Sequence, residues 1–186
     1  PSGRYGGAYL ARVPEANLLD KTSYEYWNGS SWIANDESAA IAIVQAPVAE
    51  LSVIYSTYYN EFMMSYLNEN RAAMVIRTAS DLTGPWSDEK IVAKAQQYPA
   101  LYGGFIHPDS ADSKYLYMTM SQWNPYNVYL IRTNPATLEL AGPLNYVADG
   151  GFENQSSGAV SFPWVLEGKG GIDYNNGFAR SGKNSA

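Results

Sequence analysis

An apolar run that closes on arginine occurs three times in this chain, and that repeat constrains its fold more than any other feature. The copies are GAYLARVP (Gly7 to Pro14), AAMVIRTA (Ala72 to Ala79) and NVYLIRTN (Asn127 to Asn134). Arg77 and Arg132 are 55 residues apart, and Arg12 and Arg77 are 65 apart. The similarity extends beyond the arginine, because EFMMSYLNENRAAMVIRTA (Glu61 to Ala79) aligns with KYLYMTMSQWNPYNVYLIRTN (Lys114 to Asn134). Each copy is an apolar strand, a polar turn and a second apolar strand, which is the pattern of a hairpin. Periods on the order of 40–50 residues in strand-rich sequence point to propeller blades.

Read in order, the first unit contains GAYLARVP and the aromatic-rich segment SYEYWNGSSWI, a hairpin with a tight turn at Asn28-Gly29. The second contains ELSVIYST, EFMMSYLN, AAMVIRTA and SDEKIVA. The third contains LYGGFIHP, KYLYMTMSQ, NVYLIRTN and a weaker run at LNYVA. The expected fold is therefore all-β: a β-propeller of which about two and a half blades are present, over residues 1–148. A ring closes with about 4–8 blades, so N-terminal blades or a second chain are expected to complete it. A small β-sandwich of repeated hairpins is the alternative fold. From Asp149 the texture turns rich in Gly, Ser and Asn, which fits either a flexible tail or a second domain over residues 149–186.

Composition narrows the partner. Charged residues are only 16% of the chain and the net charge is −6, which argues against nucleic acid and against an anionic membrane surface. Sixteen tyrosines and five tryptophans suit strands and also stacking on sugar rings. There is no cysteine and one histidine, so thiolate and multi-histidine metal sites are excluded within the chain. No apolar stretch approaches the roughly 20 residues of a membrane span. GxGxxG, P-loop and GxSxG motifs are absent.

The motifs GAYLARVP, YEYWNGSSW, ELSVIYS, RTASDLTGPWS, YPALYGGFIHP and TMSQWNPYNVYLIRT, taken together over Gly3 to Val147, resemble the C-terminal half of a bacterial propeller family once catalogued only as a domain of unknown function. That family is now associated with glycoside hydrolases that cut D-arabinan. The resemblance implies a secreted, five-bladed propeller acting on a furanosyl polysaccharide, with its essential carboxylates in the first blades. Behind it, the order GGFE, PW, GID and ARSGKNSA resembles the opening strands of galactose-binding-like carbohydrate-binding modules.

Glycosidases use two carboxyl groups across the scissile bond. Blade geometry selects Glu50, at the start of an inner strand, as the candidate catalytic acid, and Glu69 in the turn NENR as a weaker one. Either can also be a solvated residue, Glu69 pairing weakly with Arg71. Tyr102, His107, Gln122, Trp123 and Asn127 are the candidate substrate-binding residues: an aromatic face and amides for a neutral sugar, and a histidine donor. Gly103 and Gly104 would let a ligand approach the backbone. Structural roles compete with these for His107, as a satisfied lone histidine, and for Trp123, as core between blades. Asp81 is read as a turn residue with no chemistry. Glu153, with carbonyls near Ser181 and Gly182, is a candidate structural calcium site, and no cofactor is expected for catalysis. The competing functional class is a non-catalytic, lectin-like propeller.

Overall fold

The computed structural model describes residues 3–124, 126–138 and 140–141. The expectations for Asp149 to Ala186, including the binding module and a calcium site at Glu153, lie outside the described residues, as does the run LNYVA. What is described is all-β, with short antiparallel sheets and a few single turns of 3-10 helix. Among the described residues no helix is long and apolar enough to cross a membrane.

The first unit holds β1 (Ala8–Tyr9), β2 (Ala11–Arg12), β3 (Glu25–Trp27), β4 (Trp32–Ala34) and β5 (Ala42–Val44). β1 and β2 are one extended run broken at Leu10, so that β1 pairs with β5 while β2 pairs with β3, which pairs with β4. The expected tight turn at Asn28-Gly29 is present. The Asn28 side-chain oxygen accepts from the backbone N–H of Ser30 (3.0 Å) and Ser31 (2.8 Å), and Gly29 takes φ +94°, which a side chain would resist.

The second sheet runs in chain order through β6 (Ala49–Ser56), β7 (Glu61–Asn68), β8 (Ala73–Ala79) and β9 (Lys90–Lys94). The third runs likewise through β10 (Leu101–Tyr102), β11 (Leu116–Gln122), β12 (Val128–Thr133) and β13 (Leu140–Ala141). The strands ending at Arg77 and Arg132 hold equivalent third positions, with Arg77 opposite Met64 and Arg132 opposite Tyr117. Arg12 differs, because β2 is the edge of its sheet and Arg12 pairs across to Glu25.

The second sheet is covered on both faces, which is why β7 and β8 read as nearly unbroken apolar runs rather than alternating ones. Met63, Leu67, Met74 and Ile76 point to one face and pack with Leu101, Leu116, Met118, Met120 and Ile131 of the third sheet. Their sequence neighbours Met64, Tyr66, Ala73 and Val75 point the other way and pack with Ala8, Val44 and Val48. Each such buried large side chain contributes about 1.5–3 kcal/mol relative to exposure. Polar ties cross the same junction: the buried Ser65 hydroxyl donates to the Gly104 carbonyl at 2.6 Å, and the Tyr59 hydroxyl to the Lys114 carbonyl at 2.7 Å. In the third sheet, by contrast, β11 alternates, with Leu116, Met118 and Met120 inside and Tyr117 and Thr119 only partly covered.

Candidate functional site

The register of β6 slips between Ala49 and Ser52, and inside that bulge Glu50 adopts φ 51°. A non-glycine residue is strained there, and bulges re-aim side chains. Here the strand is turned so that the Glu50 carboxylate reaches the third sheet, where its Oε2 accepts the Gly103 backbone N–H at 2.6 Å. Gly103 itself takes φ +69°.

Arg4, in the 3-10 turn Gly3–Tyr5, joins Glu50 to the second candidate acid. Its Nη2 is 3.6 Å from Glu50 Oε1, and its Nε is 2.9 Å from Glu69 Oε1. That Glu69 oxygen is buried and in ion-pair range of Arg4, yet no donor is aligned on it as a hydrogen bond. The two acids singled out in the sequence are therefore brought together by one guanidinium. Arg4 is a residue that sequence reasoning missed, since nothing in the spacing of SGRYGG signals it.

Next to Gly103, Tyr102 meets the β11–β12 turn. Its ring lies 5.6 Å from that of Trp123, which lies 5.7 Å from that of Tyr126. Trp123 is 52% exposed, which excludes it from the core between sheets. The turn is anchored on the loop before β10, where the Trp123 N–H donates to the Ala100 carbonyl (3.0 Å) and the Gln122 amide to the Pro99 carbonyl (2.8 Å). The Gln122 amide nitrogen is thus spent on structure. Asn127 is partly buried, and its backbone carbonyl accepts from the Ser121 hydroxyl at 2.9 Å.

His107 is not brought to this end. Its backbone N–H donates to the Tyr117 carbonyl, near the opposite end of β11 from Gln122, and its Nδ1 accepts the Asp109 N–H at 3.3 Å, capping the 3-10 turn Pro108–Ser110. Asp81 forms the expected turn, its Oδ1 accepting from the Thr83 N–H (2.8 Å) and hydroxyl (2.6 Å); these bonds, the hydroxyl's first, lower its pKa.

A second polar cluster, absent from the sequence-based candidates, surrounds Glu89, whose side chain is 7% exposed. Its Oε1 accepts from the Tyr66 hydroxyl (2.6 Å) and the Asn68 amide (2.7 Å), while Arg71 Nε approaches Oε2 at 2.6 Å and Arg77 Nη2 approaches Oε1 at 3.4 Å. Arg77 also donates to the Tyr66 oxygen and to the Ser87 carbonyl. Arg71, expected beside Glu69, is bound here instead. The parity signal was available: Glu89 is two residues before Ile91, and Ile91 packs on the buried face beside Val75. No group of three or more His, Cys, Asp or Glu side chains suited to a metal ion occurs among the described residues.

Comparison with known proteins reaches the same strands. Notoamide biosynthesis cluster protein J of Aspergillus sp. (strain MF297-2) is 33% identical over 148 residues, covering 76% of this chain and 39% of that protein. Notoamide biosynthesis cluster protein J' of Aspergillus versicolor is 36% identical over 126 residues, covering 64% of this chain and 34% of that protein. The chain thus spans well under half the length of these curated relatives. The model of the family described as "Domain of unknown function (DUF4185)" matches residues 1–132, which takes in Glu50, Glu69, Arg4 and the aromatic cluster, and the chain belongs to the DUF4185 family.

Proposed function

We propose that this chain forms the sugar-binding part of a secreted, propeller-shaped polysaccharide hydrolase that cleaves furanosyl linkages, of the endo-D-arabinanase type. One observation carries the reading: the Glu50–Arg4–Glu69 cluster lies at the same end of the sheets as the half-buried Tyr102 and the exposed Trp123 and Tyr126 that stack on from it. They are joined through Gly103, which directly follows Tyr102 and donates its N–H to Glu50. A sugar presents an apolar ring face and hydroxyls that both donate and accept, so it needs a stacking surface beside charged groups of both signs. Glu50 is the candidate acid of the pair that glycoside hydrolysis requires. Further blades, from a longer gene product or a second chain, are proposed to complete the ring.

The test is release of reducing ends from D-arabinan by the full-length gene product. Trp123→Ala should weaken binding by about 1–3 kcal/mol while folding persists, because the ring is half exposed. Glu50→Gln should slow hydrolysis by about 10²–10⁴-fold, the range for losing a general acid or base. Binding with no hydrolysis by the wild-type protein would favour the lectin-like alternative. The names of the fungal relatives favour a second reading, action on a small molecule of a biosynthetic cluster. Failure of arabinan to bind at all would favour that one.

A further inference from the structure

A cleft of about 540 Å³ opens between the sheet formed by β2, β3 and β4 and the turn that follows β8. Phe62 on its wall lies near the start of β7, whereas Glu69 follows the end of that strand, about 20 Å away at the usual rise per residue. The cleft is therefore separate from the acid cluster. One wall carries Trp27 and Trp32, a cross-strand pair with ring centroids 5.3 Å apart. The Arg12 guanidinium lies 4.4 Å from the Trp32 ring and is held there by Glu25 at 2.6 Å. The other wall carries Phe62, Asp81 and Thr83.

Three properties point to one class of ligand. The aromatic rings supply apolar area, and they are held in place by strand pairing and by Arg12. The Asp81 carboxylate is already oriented by its two bonds from Thr83, so it loses little freedom when a ligand arrives. Arg12 is paired with Glu25, so the tryptophan wall carries no net charge, and the Asp81 carboxylate facing it serves as an acceptor for hydroxyl groups. The volume falls within the range of small-molecule sites. We infer that this cleft is a second saccharide site, taking a neutral oligosaccharide of about two or three rings. The inference rests on the polysaccharide reading above.

Calorimetric titration of the full chain with an arabinofuranosyl trisaccharide tests it. Two sites per chain are expected. Trp32→Ala should weaken one at least tenfold and leave unchanged the one that Trp123→Ala weakens. Leu82→Trp, which fills the cleft from an exposed position, should do the same without disturbing the Trp27–Trp32 pair, so a folding defect in the first variant cannot mimic the result. A single site that is sensitive to Trp123→Ala and indifferent to both cleft variants would overturn the second site and leave the polysaccharide reading intact. Two sites that both survive the cleft variants would overturn it equally. No binding by the wild-type chain would overturn both readings.

Discussion

Glu89→Ala should lower folding stability by about 3–5 kcal/mol, the cost of removing one partner from a buried ion pair. The loss is large because Glu89 satisfies several groups at once. Without it, Arg77 and the Tyr66 hydroxyl remain largely buried beside an apolar methyl, while Arg71 is released to solvent. Burial alone would raise the Glu89 pKa, but the hydrogen bonds from Tyr66 and Asn68 and the charges of Arg77 and Arg71 outweigh it and hold the carboxyl below its ordinary value of 4.5. A depressed folded pKa means stability that is fully present above pH 4.5 and lost as the pH falls through the lower folded value. Tyr66 carries the opposite sign. Burial first, with the Glu89 bond adding to it, pushes its hydroxyl up to about 12, so its contribution holds below pH 10 and fades as the pH rises towards 12. Denaturant melts across the acid range should therefore be flatter for Glu89→Gln than for the wild type. A Glu89→Ala variant as stable as the wild type, with an unchanged acid profile, would show that the cluster contributes nothing to folding.

The strand repeat was legible because it depends on local pattern. AAMVIRTA and NVYLIRTN fall at equivalent third positions in their sheets, since alternation and turn chemistry act over a few residues. The three arginines do not share a role. Arg77 enters the Glu89 cluster, Arg132 lies 4.3 Å from the Tyr115 ring, and Arg12 stacks on Trp32. What repeats is a backbone arrangement, and each arginine takes the partner its own neighbours provide.

The site was legible only in part. Glu50 and Glu69 could be selected from strand ends and turns, and Trp123 from its turn. Their meeting depends on Arg4, 46 residues before Glu50 in the chain, and on a bulge that no local motif announces. His107 lies apart from the other candidates for a similar reason. It shares the segment YGGFIHPD with Tyr102, but five residues of chain carry it toward the other end of the sheet, where it caps a turn. Glu89 was hidden in SDEK, which resembles a solvated charge run until its parity with Ile91 is followed.

Met74→Ala should cost about 2–5 kcal/mol, the range for truncating a fully buried methionine. Met74 is 0% exposed and packs between the second and third sheets. Its side chain also fixes what can stand at Gly104. A Cβ there would lie 2.7 Å from Met74 Cε, 2.9 Å from Sδ and 3.0 Å from Cγ. The contact runs along the side chain rather than touching its tip alone, so a single rotation does not relieve it. The backbone cannot slide away easily either, because the Gly104 carbonyl accepts from the buried Ser65 hydroxyl at 2.6 Å. Gly104→Ala should therefore cost about 1–3 kcal/mol by overpacking. In the Met74→Ala background the added methyl enters the vacated space, and the double variant should be more stable than the sum of the single losses by about 1 kcal/mol or more. Chemical denaturation of the four proteins measures that coupling directly. Strict additivity would mean that Met74 and Gly104 do not pack against each other in solution, and that the junction between these two sheets is looser than its buried residues imply.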